Sequence, residues 1–327
     1  MEKKKKKKDK KKKKKKNEDE KYIIKNTNFI LTDDWVSYLN ILKNGKLVIC
    51  LNNGEIKIYN NNNYYKYELF IKEHNKRVNY FLEIKENYII TCSSDKTMKI
   101  LFLDFSEKEK KYKIEQIIIE HNNNILKVIK INKNKFISLS SDNTFKIWNL
   151  NKTNKLYYNE TTVIYQESYS YSNMLKINDN EIIISNQTEE NLKIYELINY
   201  KIKYIFHNIK TTWTINNMCL IEKNKLIVGG KDLGGYYFIN LDNKNINLIV
   251  NGLKWIYSIF LCNDNSIIMG GRNHLLIDYI YKFYFNDEIK NIQKIEFAHD
   301  DNIINIIQLN NSTFISSGID KKIKFWK

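Results

Sequence analysis

Three histidines in this 327-residue sequence each precede an aspartate by 21 residues, and each aspartate precedes a large apolar residue by six. The sets are His74, Asp95 and Leu101, then His121, Asp142 and Trp148, and then His299, Asp320 and Trp326. Two fixed distances that recur in three places indicate copies of one structural unit. Repeats of about 40–45 residues are typical of propellers, in which each copy forms one blade-like β-sheet.

The copy from residue 121 to residue 149 shows the layout of the unit most clearly. Two apolar runs alternate as β-strands do, and the turn-forming Asn-Lys-Asn at 132–134 separates them. The copy closes with Ser-Asp, a short turn and Lys-Ile-Trp. Asn and Asp must supply the turns throughout, because the chain has no proline and only 10 glycines.

Weaker copies of the unit are found by aligning their last apolar residue. The seven ends are Tyr59, Leu101, Trp148, Tyr195, Phe238, Tyr279 and Trp326. They lie 42, 47, 47, 43, 41 and 47 residues apart, so the sequence predicts seven blades. The sixth end is the least regular, since residues 274–285 are long for one strand.

The three clear copies resemble the WD40 repeat, whose unit ends near a Trp-Asp pair. The resemblance covers residues 22–327 and implies an all-β fold, a seven-bladed WD40-type β-propeller closed by its N-terminal strand. It also implies a relay of hydrogen bonds inside a blade, formed by His, Asp, Trp and a Ser or Thr four residues before the Asp. Such a closed network satisfies buried polar groups and rigidifies the blade.

The residues that match this relay are found in three copies. They are His121, Ser138, Asp142 and Trp148, then His299, Ser316, Asp320 and Trp326, and, as a partial set, His74, Thr91 and Asp95. In the partial set Leu101 replaces the Trp and provides no indole donor.

A His-Asp-Ser trio is also the composition of a hydrolase site. A nucleophile site would occur once and lie in a cleft, whereas this trio occurs at identical spacing in more than one copy. We therefore expect a structural role, no catalytic residue and no cofactor. No CxxC pair and no His at ligand spacing from a Cys occurs, so we expect no metal site either.

The N-terminal segment, residues 1–21, differs in composition from the rest. It carries 14 lysines and five acidic residues, a net charge of +9 within a total of +17. A block of like charge cannot pack, so we expect a disordered poly-Lys tail beside one propeller domain at 22–327. The tail has three open interpretations: a homopolymer tract without a selected role, a nuclear or nucleolar address, and an anchor for RNA or anionic lipid.

Residues 22–31 contain the first apolar groups of the chain and precede the first copy. In the family that the sequence resembles, an N-terminal strand completes the last blade. We expect residues 22–31 to pair beside the final segment at Trp326, which removes an unpaired sheet edge.

Several features predict a cytoplasmic or nuclear protein and not a secreted one. No run of about 18 apolar residues occurs, and no apolar signal-peptide core follows the first lysines. The cysteines, at positions 50, 92, 219 and 262, lie in predicted strands. Buried free thiols in a reducing compartment are the expected state.

The resemblance also implies a binding face around the central channel, on the side where each innermost strand begins. Carried over position by position, the residues expected on it are Trp35, Arg77, Tyr171, Lys231, Trp255, Tyr257 and Arg272. Trp, Tyr and Arg dominate interface hot spots. The alternative for Trp35 and Trp255 is that they plug the strand ends as core.

Two functional hypotheses remain open. The first is a non-catalytic scaffold that holds peptide segments of other proteins, acidic or phosphorylated, inside a multi-subunit complex. The second is an RNA-associated nuclear or nucleolar assembly factor that uses the basic tail and face. The sequence lacks the Arg that follows the Trp-Asp ending in ligase-docking propellers and the paired Arg of phosphoinositide-binding ones, and no small-molecule substrate is expected.

Overall fold

The computed structural model describes residues 26–60, 63–106, 111–151, 158–165, 171–186, 191–207, 209, 215–230, 235–286 and 288–327. These residues form seven four-stranded antiparallel sheets, which confirms the predicted all-β, seven-bladed propeller. The predicted tail at 1–21 and residues 22–25 of the predicted closing segment lie outside the described ranges.

The strands follow one another in chain order through the blades. Blades 1–3 comprise β2 (Val36–Ile41), β3 (Leu47–Leu51), β4 (Ile56–Asn60), β5 (Asn63–Ile71), β6 (Val78–Lys85), β7 (Tyr88–Ser93), β8 (Met98–Asp104), β9 (Lys111–Ile118), β10 (Ile125–Asn132), β11 (Lys135–Ser140), β12 (Thr144–Leu150) and β13 (Tyr158–Tyr165).

Blades 4–6 have the same order from the innermost to the outermost strand. They comprise β14 (Tyr171–Asn178), β15 (Glu181–Asn186), β16 (Leu192–Glu196), β17 (Ile202–Phe206), β18 (Ile215–Glu222), β19 (Lys225–Gly230), β20 (Gly235–Asn240), β21 (Ile246–Val250), β22 (Trp255–Leu261), β23 (Ser266–Arg272), β24 (Asp278–Asn286) and β25 (Glu288–Glu296).

Blade 7 joins the two ends of the described chain. Its strands β26 (Ile303–Asn310), β27 (Thr313–Gly318) and β28 (Lys322–Trp326) are completed by β1 (Asn26–Leu31), which pairs antiparallel with β28. Ile30 faces Ile323 across this pair, and the amide of Thr32 donates to the carbonyl of Lys321 at 2.9 Å. The predicted closure by the N-terminal strand is confirmed for residues 26–31.

The innermost strands surround the central channel as a ring. Each contacts the innermost strand of the next blade, and β26 of blade 7 contacts β2 of blade 1. Because every blade repeats the same strand order, all seven innermost strands begin at the same end of the ring. We call this end the start face.

The burial of the strands follows their place in the blade. The second strands, such as β3 and β11, carry nearly continuous apolar runs and are buried along their length, because neighbouring blades cover both of their faces. The outer strand β9 alternates between exposed and partly buried residues, as expected of a strand half in water. Patterning therefore places the core between blades.

The predicted end residue is wrong in two blades, because a different residue occupies the register position that Trp148 has in blade 3. Trp148 pairs with Phe136 in blade 3, and the residues that pair at the same level in blades 5 and 6 are Ile239 and Phe283. The predicted ends were Phe238 and Tyr279. The last apolar residue is a poor marker where several apolar residues follow one another, as they do in β20 and β24.

Candidate functional site

The relay residues of blade 3 lie within hydrogen-bonding distance of one another. The Nδ1 atom of His121 is 2.8 Å from a carboxylate oxygen of Asp142, and its Nε2 atom is 2.7 Å from the Ser138 hydroxyl. The indole Nε1 of Trp148 donates to the same hydroxyl at 2.9 Å. With Nδ1 protonated, every donor in this chain of contacts has an acceptor.

Blade 7 repeats this arrangement. His299 Nδ1 lies 2.9 Å from both carboxylate oxygens of Asp320, and Nε2 lies 2.7 Å from the Ser316 hydroxyl. Trp326 Nε1 donates to Ser316 at 2.8 Å. Two blades that are not adjacent thus have the same four-residue geometry.

Blade 2 has the shorter version expected from its sequence. His74 Nδ1 lies 2.8 Å from Asp95, and Nε2 lies 2.8 Å from the Thr91 hydroxyl. Leu101 is buried where the other two blades have Trp, so it fills the space without donating a hydrogen bond. The Thr91 hydroxyl instead lies 3.3 Å from the Lys99 carbonyl.

The aspartate of the relay has additional donors that the sequence comparison missed. In blade 3 the backbone amide of Asn122 donates to Asp142 at 2.9 Å, and the Thr144 amide and hydroxyl donate at 3.0 and 2.6 Å. Burial by itself raises the pKa of Asp142, but the hydrogen bonds from His121 and Thr144 outweigh it and hold the pKa well below its usual range. The recurring signal was Asp-x-Thr, present at Asp95 and Asp142.

A lysine two residues before the blade end also belongs to this framework. Lys146 Nζ donates to the Glu120 carbonyl at 2.8 Å, and Lys99 Nζ donates to the Glu73 carbonyl. Each of these carbonyls belongs to the residue before the relay histidine. The Lys of the Lys-Ile-Trp ending therefore fixes the segment that leads into the histidine.

The relay hydroxyls are closed to a substrate. Ser138 and Ser316 are fully buried, and in each blade the Trp indole covers the hydroxyl that the His contacts. A substrate cannot reach a hydroxyl in this position, so the hydroxyl cannot act as a nucleophile on it.

The start face brings two of the predicted binding residues into direct contact. The guanidinium carbon of Arg77 lies 5.1 Å from the centroid of the Trp35 ring, a cation–π geometry across blades 1 and 2. Both side chains are half-buried. Trp35 is therefore not fully buried in the core, and its ring is in contact with Arg77.

Two aromatic side chains, Trp255 and Tyr257, lie on blade 6 at the start face. Trp255 pairs with Arg272 across β22 and β23, and Lys254 Nζ lies 5.0 Å from the centroid of the Trp255 ring. Trp255 and Tyr257 are both half-buried. Part of each ring remains at the surface.

Arg272, predicted for the binding face, is paired with two carboxylates of the protein itself. Its guanidinium donates to Asp278 at 2.8 and 3.2 Å and to Asp301 at 3.1 Å, and Asp278 is buried. Burial by itself lowers the pKa of Arg272, but these carboxylates outweigh it and the pKa is raised. The arginine neutralises a buried acid within its own blade.

Tyr171 is also not on the start face. It is 0% exposed and packs edge-on against Phe145 at 6.0 Å, where Val78 and Ile125 stand in their own strands. In register, Tyr171 faces Asn186 as Ile125 faces Ser140, so the predicted alignment of blade 4 was one residue out. Lys231 lies outside the described residues.

One irregularity of the innermost strands recurs in every blade. Each innermost strand has a β-bulge near its start, at Ser37, Asn79, Leu126, Ser172, Asn216, Tyr257 and Ile304. Some of these side chains tie blades together: Ser37 donates to the Val78 carbonyl at 2.5 Å, and Asn79 donates to the Ile125 carbonyl at 2.7 Å. Ser37 and Asn79 thus link neighbouring blades.

Lys127, on β10 at the channel, was not predicted as a site residue. Its Nζ donates to the Asn173 amide oxygen at 3.0 Å and lies 5.6 Å from the Tyr80 ring centroid. No carboxylate within the described ranges forms an ion pair with it. Burial lowers the pKa of Lys127 to about 8.

The cysteines and other candidate centres give no reactive cluster. Cys50, Cys92, Cys219 and Cys262 are free, and burial raises the pKa of Cys219 to about 11. Within the described ranges no group of three or more His, Cys, Asp or Glu side chains is arranged to hold a metal ion. The same ranges contain no helix whose length and hydropathy fit a membrane span.

Comparison with solved structures shows the fold directly. The chain is similar to the crystal structure of the WD40 β-propeller domain of Doa1, with a TM-score of 0.71 over 93% of this chain and 97% of that chain. The two sequences are 13% identical, so the similarity shows a WD40-type propeller and nothing of its partner. No protein-family model matches the sequence, and the comparison with curated proteins also gives no match.

Proposed function

We propose that this protein is a non-catalytic WD-repeat scaffold that binds peptide segments of other proteins on its start face, inside a multi-subunit intracellular complex. The observation that carries the proposal is that Trp35, Trp255 and Tyr257 are half-buried, and so partly exposed, at one end of a ring that β1 closes. The WD40-type propeller commonly serves as an interaction scaffold.

The physical basis is rigid presentation. The blades are fixed by the relays and by links between blades such as Ser37 to Val78, so the rings on the face are ordered before a partner arrives. A preorganised surface reduces the ordering cost of association, and large aromatic side chains supply most of the contact energy. Acidic or phosphorylated segments are the proposed partners, and the cytoplasm or nucleus is the proposed location.

The non-catalytic part of the proposal rests on the relay geometry. The hydroxyls of the two His-Asp-Ser trios, Ser138 and Ser316, are fully buried and accept hydrogen bonds from Trp148 and Trp326. Their hydrogen bonds are satisfied within the blade.

The second candidate function, an RNA-associated assembly factor in the nucleus or nucleolus, is favoured by one feature. Residues 1–21 carry a net charge of +9, which suits phosphate contacts. The same segment contains no aromatic residue for stacking on bases.

Affinity purification of the intact chain, with and without nuclease, separates the two functions. The scaffold predicts protein partners that persist after nuclease and at raised salt, and that are lost in Trp255→Ala. Phe70→Ala is the matched control, because Phe70 is an exposed aromatic on the outer strand β5. Partners that disappear with nuclease or on deletion of residues 1–21, and survive Trp255→Ala, support the RNA function instead.

A further inference from the structure

Only two of the 54 basic residues of this sequence are arginines, Arg77 and Arg272. The structure places both on the start face and gives them opposite surroundings. Arg272 binds the carboxylates of Asp278 and Asp301. Arg77 forms no ion pair with any carboxylate of the described residues.

The side chain of Arg77 is fixed without being satisfied. Trp35 supports the guanidinium from one side, at 5.1 Å from ring centroid to guanidinium carbon. The Nε–H group is enclosed and has no hydrogen-bond acceptor among the described residues. The two terminal amino groups have no acceptor among those residues either, and they are not enclosed, so they reach the surface.

Two carboxylates adjoin this site along the chain, Asp34 before Trp35 and Asp95 after Ser94, whose amide donates to the Arg77 carbonyl, and both are engaged elsewhere. Asp34 accepts hydrogen bonds from its neighbour's backbone amide, on Trp35, at 2.8 Å and from the Asn52 amide at 3.1 Å. Asp95 is held in the relay of blade 2. Neither carboxylate neutralises Arg77, and burial without an acid partner lowers the pKa of Arg77.

A partly desolvated cation without a counter-charge is unfavourable, and an incoming anion relieves it. A planar guanidinium held by an aromatic ring presents its terminal amino groups in a fixed direction, which suits the two oxygens of a carboxylate or phosphate. Lysine, which supplies all the other positive charge of this chain, does not provide that geometry.

We propose that Arg77, held on Trp35, is the anion-binding subsite of the start face, and that it binds the carboxylate or phosphate oxygens of a side chain in a partner peptide. The proposal rests on the proposed scaffold function and names the group that the scaffold recognises. A peptide fits better than RNA because the guanidinium already covers one face of the Trp35 ring, where a base would stack.

The experiment uses the small number of arginines. In full-length protein labelled with ¹⁵N-arginine, the Nε–Hε spectrum contains two signals, and Arg77→Lys assigns them. The probes are three capped peptides that share a Gly-x-Gly frame, with Asp, phosphoserine or Ser at the centre. Arg272 serves as the internal reference, because its partners are already in place.

The expected result is a saturable shift of the Arg77 signal with the Asp peptide, the phosphoserine peptide or both, no shift of the Arg272 signal, and no response to the Ser peptide. The stronger of the two anionic peptides identifies the source of the oxygens. Arg77→Gln is expected to weaken the binding of that peptide by about tenfold or more, while the thermal unfolding midpoint stays within a few degrees of the wild-type value.

Several outcomes overturn the proposal. One is an Arg77 signal that does not move with either anionic peptide. Another is equal movement of both arginine signals, which indicates a general ionic effect. A third is an oligouridylate that shifts Arg77 at lower concentration than either peptide, which assigns the subsite to RNA. These readings do not depend on affinity purification, so the scaffold function and the subsite can fail separately.

Discussion

His121 and Asp142 are 21 residues apart in the sequence, and their side chains meet at 2.8 Å in blade 3. The same separation gives 2.8 Å in blade 2 and 2.9 Å in blade 7. Each contact joins the segment before the innermost strand to the turn that follows the second strand. A fixed sequence offset therefore corresponds to one closed hydrogen-bond geometry.

Removal of the Asp142 carboxylate is expected to destabilise the propeller. Asp142→Ala leaves His121 Nδ1–H, the Asn122 amide and the Thr144 donors without their acceptor. We expect a loss of about 2–4 kcal/mol in the free energy of unfolding, measured by urea denaturation. Asp179→Ala, at a carboxylate whose side chain is 81% exposed, is the control and should change it by less than about 0.5 kcal/mol. Equal effects of the two substitutions would contradict the relay as a source of stability.

The contribution of the Asp142 carboxylate to the free energy of unfolding should decrease in acid. The pKa of Asp142 is lowered in the folded state, so its contribution is complete above the unfolded pKa, near 4, and is lost as the pH falls towards the folded value. Between about pH 4 and pH 2.5, the stability difference between the wild type and Asp142→Asn should shrink by up to about 1.4 kcal/mol per pH unit. Urea midpoints across pH 6–2.5 measure this. A difference that stays constant over the range would contradict the lowered pKa of Asp142, and one that grows in acid would contradict its sign.

Lys127 should give the same direction of pH dependence, a gain in stability as the pH rises, but in the alkaline range. Its pKa is lowered to about 8 from 10.5, so the unfolded chain holds this proton more tightly, and the penalty is present below pH 8 and disappears above 10.5. We expect Lys127→Met to be more stable than the wild type by about 1–3 kcal/mol at pH 7, and the gap to close by about pH 10.5. Lys223→Met, in an exposed turn, is the matched control. A destabilised Lys127→Met would show that the contact with Asn173 outweighs the burial of the charge.

The closing strand offers two adjacent residues on opposite faces. Ile30 is 7% exposed and packs in the core near Ile323, whereas Leu31 is 67% exposed. Ile30→Asp should lower the free energy of unfolding by about 3 kcal/mol or more, because it buries an unpaired charge at the seam of the ring. Leu31→Asp should change it by less than about 1 kcal/mol. The denaturant midpoints of the two variants measure these losses. Similar losses in both variants would contradict the packing of Ile30 in the core between β1 and β28.

The blade count, the relays and the closing strand were predictable from the sequence. Apolar alternation marks the strands, and the fixed His-to-Asp spacing marks three copies of the unit. The relay hydrogen bonds and the closing strand were expected from the resemblance to the WD40 repeat. The exact ends of blades 5 and 6 were not predictable, because Ile239 and Phe283 stand in apolar runs where the sequence gives no reason to prefer one residue over its neighbour. The sequence indicated which residue types could form a binding face. It did not indicate which of these side chains are exposed and which are buried or paired.

By itself the sequence determined which architecture forms, because hydrophobic period and repeat length act over a few residues and recur in every blade. Only the tertiary structure decided which polar groups are free to act. Arg272 is neutralised in part by Asp301, which is 29 residues away in the segment that leads into blade 7. Arg77 packs on Trp35 and forms no ion pair with a carboxylate of the described residues. Tyr171 is buried in the core, at the position that Val78 and Ile125 occupy in their own blades. These outcomes depend on contacts between blades. A charged or aromatic side chain therefore acquires its partner only when the propeller has closed.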